Sequence, residues 1–363
     1  MKVSLLLDLF GKTPSMQCVD GVKLLYQHHF GCGHLLAAPE KVAARVAEEL
    51  SATEPSADVS PAEFIGGGLC RLNLRNADVR RLSPEIIARM MLLTQEHHGN
   101  APQNSQEAFL GSLATLTDLA RQGKTPFSAD DLADYLRLYA AEGYPMVSHS
   151  EEYRRLYQPA YRVVLSDFAT LLPVVLAIEE RRSVGPALAV LDGPCGSGKS
   201  TLAGLLSRLY DAPVIPMDDF FLPPELRTPQ RFAEPGGNIH HERFLAEVMA
   251  PLVSGEAFTY QRFDCSTFGL SPKKVEAAPV RIVEGSYSLH PVFRDGWKSA
   301  NAVTAYVSVD ENAQLERIAA RNPEMLEMFK TRWIPLEKKY AEAYHSICWA
   351  DFCLTSISWE ADA

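Results

Sequence analysis

Leu191-Asp192-Gly193-Pro194-Cys195-Gly196-Ser197-Gly198-Lys199-Ser200-Thr201 contains the pattern G-x-x-x-x-G-K-[ST]. The apolar run Leu188 to Leu191 leads into it, and a helical pattern from Ser200 through Leu209 follows. Strand, glycine-rich turn and helix in that order predict a phosphate-binding P-loop. Gly193, Gly196 and Gly198 admit backbone conformations closed to residues with a Cβ, so successive N–H groups can turn inward around an anion. The positive end of the following helix dipole points at the same place. Gly193, Gly196, Ser197, Gly198, Lys199, Ser200 and Thr201 are therefore the expected nucleotide-binding residues. Lys199 is expected to reach the β- and γ-phosphates, and the Ser200 hydroxyl to hold Mg²⁺.

Outward from the loop, short β-branched runs alternate with helical patterns. The expected strands are Ala187 to Leu191, Val214 to Met217, Val280 to Val283, Val303 to Val309 and Phe352 to Thr355. Such alternation predicts a parallel sheet covered by helices on both faces, with the ligand beyond the carboxyl ends of its strands. Before the polar break Glu179 to Pro186 the rhythm is helical. Apolar residues recur at three and four spacing in Pro39 to Leu50, Pro84 to Leu93, Ala108 to Leu119 and Leu132 to Tyr139. Ser83 and Ser128 stand where helix caps are expected. Phe64 to Leu74 is glycine-rich and predicts a short hairpin or a loop, and Pro159 to Ile178 reads as one long apolar helix kinked at Pro173. The expectation is a mainly α-helical domain over 1–182, followed over 183–363 by an α/β P-loop domain with a parallel sheet.

The 363 residues carry 35 Lys plus Arg against 45 Asp plus Glu, a net charge of −10, which is poor footing for nucleic-acid or acidic-membrane binding. No apolar run approaches a membrane span, and Met1 to Phe10 is too short and too poor in basic residues for a signal peptide. Seven scattered cysteines fit reduced thiols, and the expected location is the cytoplasm.

Two strands are expected to end in acids: Asp218 and Asp219 after one, Glu284 after another. A carboxylate there can take the proton of an attacking hydroxyl or hold a metal through water. A solvated loop or a helix cap is the plainer reading of each, and Asp219 divides evenly between the two.

In order along the chain, Asp218-Asp219-Phe220-Phe221, Gly236-Gly237-Asn238 with Phe244, Phe263-Asp264-Cys265, Val283-Glu284-Gly285 and Arg332-Trp333-Ile334-Pro335 resemble the motifs of the uridine kinase and phosphoribulokinase family of P-loop small-molecule kinases. The resemblance covers about residues 186–355. It implies transfer of the γ-phosphoryl group of ATP, with Mg²⁺, to a hydroxyl of a small metabolite. By position it assigns Asp218 as general base, Ser200, Asp218 and Glu284 to the metal, and Arg317 and Arg321 to a lid over the transferred phosphate. Arg317 and Arg321 also share a helix face at i and i+4, which suits an oxygen-rich ligand or a solvated pair equally. The chain departs from uridine kinases after the Asn-containing motif, where they have a ribose-binding acid and it has Asn238-Ile239-His240-His241, and at Phe268 and Leu270, near the places of a His and an Arg. A nucleoside, sugar or pantothenate-like acceptor all remain open. Asp264, His240, Phe268 and Arg332 are candidate acceptor contacts, with surface or core roles as the plainer alternative.

Cys195 lies where a helix N-terminus can favour a thiolate, or is merely a small residue in the loop. His28, His29, Cys32 and His34 suggest metal ligands without matching a strong zinc spacing. Ser148-His149-Ser150-Glu151 resembles a helix cap more than a catalytic set. Residues 1–182 resemble no known family. Acceptor binding, formation of a homo-oligomer and ligand sensing are each open to them. The competing function is a nucleotide-driven regulatory ATPase or switch acting through that half.

Overall fold

The computed structural model describes residues 1–31, 38–98 and 106–355. Over the described residues the chain divides into two units, one up to Ala169 and one from Thr170 to Thr355. The division falls inside a helix, ahead of the 182/183 boundary read from composition.

The first unit holds helices α1 (Val3–Lys12), α2 (Cys18–Phe30), α3 (Pro39–Ala52), α4 (Pro84–His98), α5 (Gln106–Arg121), α6 (Ala129–Ala141) and α7 (Glu151–Tyr157). Ser128 caps α6 by accepting the Asp131 N–H at 3.1 Å, and Ser150 caps α7 by accepting that of Tyr153 at 3.0 Å. A three-stranded antiparallel sheet completes the unit, in the order β1 (Ala62–Gly66), β2 (Leu69–Asn73), β3 (Tyr161–Leu165). The expected hairpin is thus present. The long helix expected over Pro159 to Ile178 is corrected: Tyr161–Leu165 pairs with β2, and helix α8 starts only at Ser166 and runs to Arg182. Only Ser166 and Asp167 interrupt the apolar residues where the helix starts, and periodicity alone does not separate a buried strand from a buried helix.

The second unit is α/β. Five parallel strands lie in the order β10 (Phe352–Thr355), β9 (Val303–Ser308), β4 (Ala187–Asp192), β8 (Val280–Glu284), β5 (Val214–Pro216). Strands β4 and β8 are buried along their whole length, the mark of strands covered on both faces. After β8 the chain crosses β4 to build β9, so the strand order reverses beside the carboxyl end of β4, the place where open sheets form a crevice. Helix α9 (Lys199–Tyr210) follows the glycine-rich loop 193–198. An antiparallel hairpin, β6 (Phe258–Phe263) and β7 (Leu270–Val275), stands apart from the main sheet. Phe220, Phe244, Tyr260, Phe293 and Trp297, with Tyr287 and Tyr340, form the aromatic part of this unit's core.

Candidate active site

The turn between β4 and α9 is held from several sides. Gly193, Gly196 and Gly198 have φ of 147°, 71° and 92°, conformations that L side chains avoid. A Cβ on Gly193 would stand 2.3 Å from the Val307 carbonyl oxygen at the end of β9, so only glycine lets the loop lie against that strand. Asp192, the last residue of β4, is buried and accepts the N–H groups of Gly193 (2.6 Å), Tyr287 (2.9 Å) and Leu289 (2.9 Å) and the Tyr340 hydroxyl (2.7 Å). Burial pushes its carboxyl up to about 6 against the pull of those donors, and the group ties the glycine-rich loop to the segment leaving β8.

Glu337, on the helix Ile334–Tyr344, accepts the Cys195 N–H at 3.0 Å on each carboxylate oxygen and the Ser286 hydroxyl at 2.7 Å. Gln314 donates to the Cys195 carbonyl at 2.7 Å, and Arg317 to the carbonyls of Gly196 and Ser197 at 3.2 and 3.4 Å. Burial, then Glu337, push the Cys195 thiol upward, which opposes the thiolate that a helix N-terminus would favour.

One cavity of about 620 Å³ opens at this rim. Gly196, Gly198, Lys199, Ser200 and Thr201 line it from the loop; Asp218, Glu284 and Arg321 line it from the strand ends and the helix Glu311–Arg321. Gly193 and Ser197 support the loop without lining the cavity. Lys199 is nearly buried, its ammonium donating to the Pro194 carbonyl at 3.3 Å. The Ser200 hydroxyl donates to Glu284 at 2.9 Å. Asp218 faces the cavity, whose walls displace bulk water. That desolvation raises its carboxyl, Asp219 adds to the rise, and Lys199 and Arg321 oppose it. Burial likewise raises Glu284, against Lys199 and the Ser200 hydroxyl.

The two adjacent acids have different surroundings. Asp219 is buried, accepts the Tyr260 hydroxyl of β6 and pairs with Lys273 of β7 at 3.0 Å. It anchors the hairpin, and Asp218 is left to the cavity.

The acceptor candidates separate as well. Phe268 sits in the hairpin turn with φ of 55°, and it lines the cavity together with Arg332, Phe221, Phe232 and Trp333. The Arg332 guanidinium lies 5.0 Å from the Trp333 ring centre and 5.4 Å from that of Phe232. Asp264 instead accepts the N–H and hydroxyl of Ser266 at 2.8 and 2.6 Å. His240 caps the short helix His241–Phe244 and contacts Glu242 at 3.1 Å, so neither lines the cavity.

The residues fit a magnesium nucleotide. Ser200, Asp218 and Glu284 bring hard oxygen donors to one wall, beside glycine turns in which any Cβ on Gly193 would collide. Among the described residues no group of three His, Cys, Asp or Glu is arranged to hold a metal. Mg²⁺ commonly relies on one or two carboxylates with the remaining ligands from water and phosphate. Of the zinc candidates, His28 bonds the Ile65 carbonyl at 2.9 Å and His29 the Ser112 hydroxyl at 2.8 Å, while Cys32 and His34 lie outside the described residues. No described helix is long and apolar enough to cross a membrane.

Asp192, Glu337, Gln314 and Ser286 were not singled out from sequence. Asp192 had a usable signal, an acid closing an apolar strand directly before the loop. Glu337 had none, because its partner Cys195 is 142 residues away.

No protein-family model matches the chain, and no curated protein matches it. Among solved structures, it is similar to the "Possible Uridine Kinase" of Bacillus stearothermophilus, at 19% identity and TM-score 0.36 over 50% of this chain and 99% of that one. It is also similar to the "putative fructose transport system kinase" of Silicibacter sp. TM1040, at 23% identity and TM-score 0.40 over 50% of this chain and 97% of that one. At this distance the chemistry has to be read from the site itself.

Proposed function

We propose that the chain is an ATP-dependent kinase that transfers the γ-phosphoryl group to a hydroxyl of a small metabolite. The observation that carries the reading is the shared cavity: Lys199, Ser200, Asp218, Glu284 and Arg321 all line it, and it extends past them to Phe268, Trp333 and Arg332. Phosphoryl transfer asks for positioning and charge neutralisation more than covalent chemistry. The loop amides and Lys199 hold the phosphate chain. Ser200 and Glu284, with Asp218, would hold Mg²⁺, which supplies neutralisation of charge on the transferred group. Asp218 takes the proton of the acceptor hydroxyl. Its raised affinity for protons brings it closer to the pH at which it works. Arg321 lines the same cavity, close enough to Asp218 to oppose the rise of its carboxyl, and would meet the phosphoryl group. Arg317 serves the loop carbonyls.

The aromatic wall supports an acceptor with an apolar or planar body, and Arg332 supports an anionic or oxygen-rich end. A nucleoside, a pantothenate-like acid and a sugar are ranked by a direct test. ATP consumption is screened over metabolite pools, with mass spectrometry for a product heavier by one phosphate. A product formed by the wild type and lost with Lys199→Ala supports the kinase. Nucleotide binding with no acceptor-stimulated turnover in any pool overturns it in favour of a switch.

A further inference from the structure

The first unit contains a cleft that the kinase reading does not use. A hollow of about 290 Å³ and a more open one of about 520 Å³ share Lys23, Thr53, His149, Pro159 and Ala160 as walls. The charged residues lining the pair are Lys23, Arg75, Arg154 and Arg162 against Glu49 and Glu54, an excess of cations in a chain whose net charge is −10.

The wall behind them is a satisfied polar network. Asp20 accepts from His149 Nδ1 at 2.8 Å, and from the N–H and hydroxyl of Ser150 at 3.0 and 2.7 Å. Burial holds the His149 imidazole down at about 4, so it is neutral near pH 7, and with Nδ1–H given to Asp20 its Nε2 accepts the Tyr161 hydroxyl at 2.5 Å. Gln27 donates to that hydroxyl at 3.3 Å and accepts two bonds from Arg71 at 3.1 and 2.8 Å. The Arg71 guanidinium lies 4.7 Å from the Tyr161 ring centre. Stacking of His149 on Tyr153, centroids 4.2 Å apart, fixes the ring.

Against this wall Lys23 stands out. Its ammonium donates to the Val147 carbonyl at 3.1 Å, and no carboxylate among the described residues lies within ion-pair distance of it. Glu49 is engaged by Arg162, and Glu63 by Arg71. Burial, then the charges of Arg71, Arg154 and Arg162, bring the Lys23 ammonium down to about 8, with Asp20 opposing. A half-buried cation held among other cations is a cost unless an anion meets it.

The geometry points to a binding site for a small organic anion, its carboxylate or phosphate head at Lys23 where the two hollows meet, and its body against Tyr26, Met91 and Met146 of the smaller hollow. Arg154 closes the outer side. The site is built from the first unit alone and stands whether or not the second unit is a kinase.

The test is methionine-methyl NMR on the full chain, with Met91 and Met146 assigned by substitution with leucine. The probes are inorganic phosphate and butyrate at constant ionic strength, with chloride as reference. Saturable shifts of both methyl groups with either probe are expected, and which probe acts more strongly identifies the head group. Lys23→Gln removes the charge and keeps a donor for Val147; it should weaken binding at least tenfold, and the exposed Arg154→Gln several-fold. Lys199→Ala should leave the shifts intact, which separates this cleft from phosphate held at the P-loop. Shifts that chloride reproduces, methyl groups that do not respond, or unchanged affinity in Lys23→Gln would each overturn the site. Should Lys23→Gln fail to fold, unchanged affinity in Arg154→Gln overturns the site instead.

Discussion

Two glycine-to-alanine changes eleven residues apart, at Gly193 and Gly204, should move stability in opposite directions. Gly193→Ala places a methyl group 2.3 Å from the Val307 carbonyl, at a φ of 147°. The obstacle is backbone, so no side-chain rotation relieves it. A residue forced into such a backbone region costs about 1–3 kcal/mol, and overpacking about 1–3 kcal/mol more. The sum, about 2–6 kcal/mol, is a large share of a typical stability of about 5–15 kcal/mol. For a unit of this size it corresponds to a fall in Tm of roughly 5–20 °C. The loop must also leave β9, so Mg-ATP affinity should drop with it. Gly204 lies inside α9, and a Cβ there meets nothing within 4 Å. Gly204→Ala should stabilise by about 0.5–1 kcal/mol through helix propensity. Differential scanning calorimetry with and without Mg-ATP, and equilibrium binding of a fluorescent ATP analogue, read both variants. Wild-type Tm and affinity in Gly193→Ala would refute the packing of the loop against β9.

Two further outcomes follow from the electrostatics. His149 and His290 are each held down at about 4 by burial, below the ordinary 6.5, so the stability they contribute is full above about pH 6.5 and is lost as the pH falls toward 4. Imidazole resonances that titrate near 6.5 in the folded protein would contradict this. Glu337→Gln keeps an acceptor for the Cys195 N–H but takes a negative charge from the rim of the phosphate site, so the KM for ATP should fall several-fold. An unchanged or higher KM would mean that the carboxylate serves only to hold the loop.

The glycine-rich loop between β4 and α9 was legible because its demands are local. Glycines must fall at the positive-φ positions, and the strand before and helix after are contiguous with them. The parallel sheet was legible for a similar reason, since β4 reads as an apolar run up to Asp192 and β8 as one interrupted only by Arg281 before Glu284. The same property concealed β3, whose apolar residues run on into α8 with only Ser166 and Asp167 between them. What remained hidden depends on partners distant in sequence. Asp218 and Asp219 look alike until Tyr260, 41 residues on, takes Asp219. His149 looks like part of a helix cap until Asp20, 129 residues earlier, engages it.

The central claim is that Asp218 takes the acceptor's proton beside the P-loop, and the most direct measurement is turnover of Asp218→Asn with an identified acceptor. Asparagine keeps the size of the side chain and loses the proton acceptor. The account predicts a fall in kcat of about a hundredfold to ten-thousandfold, the range for loss of a general base. Affinity for ATP should change far less, because Lys199, Ser200 and the loop amides remain. Mg²⁺ dependence is measured alongside, since weakened metal binding would show as activity restored at high Mg²⁺. In the same assay Asp219→Asn should act mainly on stability, through the lost contacts with Tyr260 and Lys273. Normal kcat in Asp218→Asn would contradict the account.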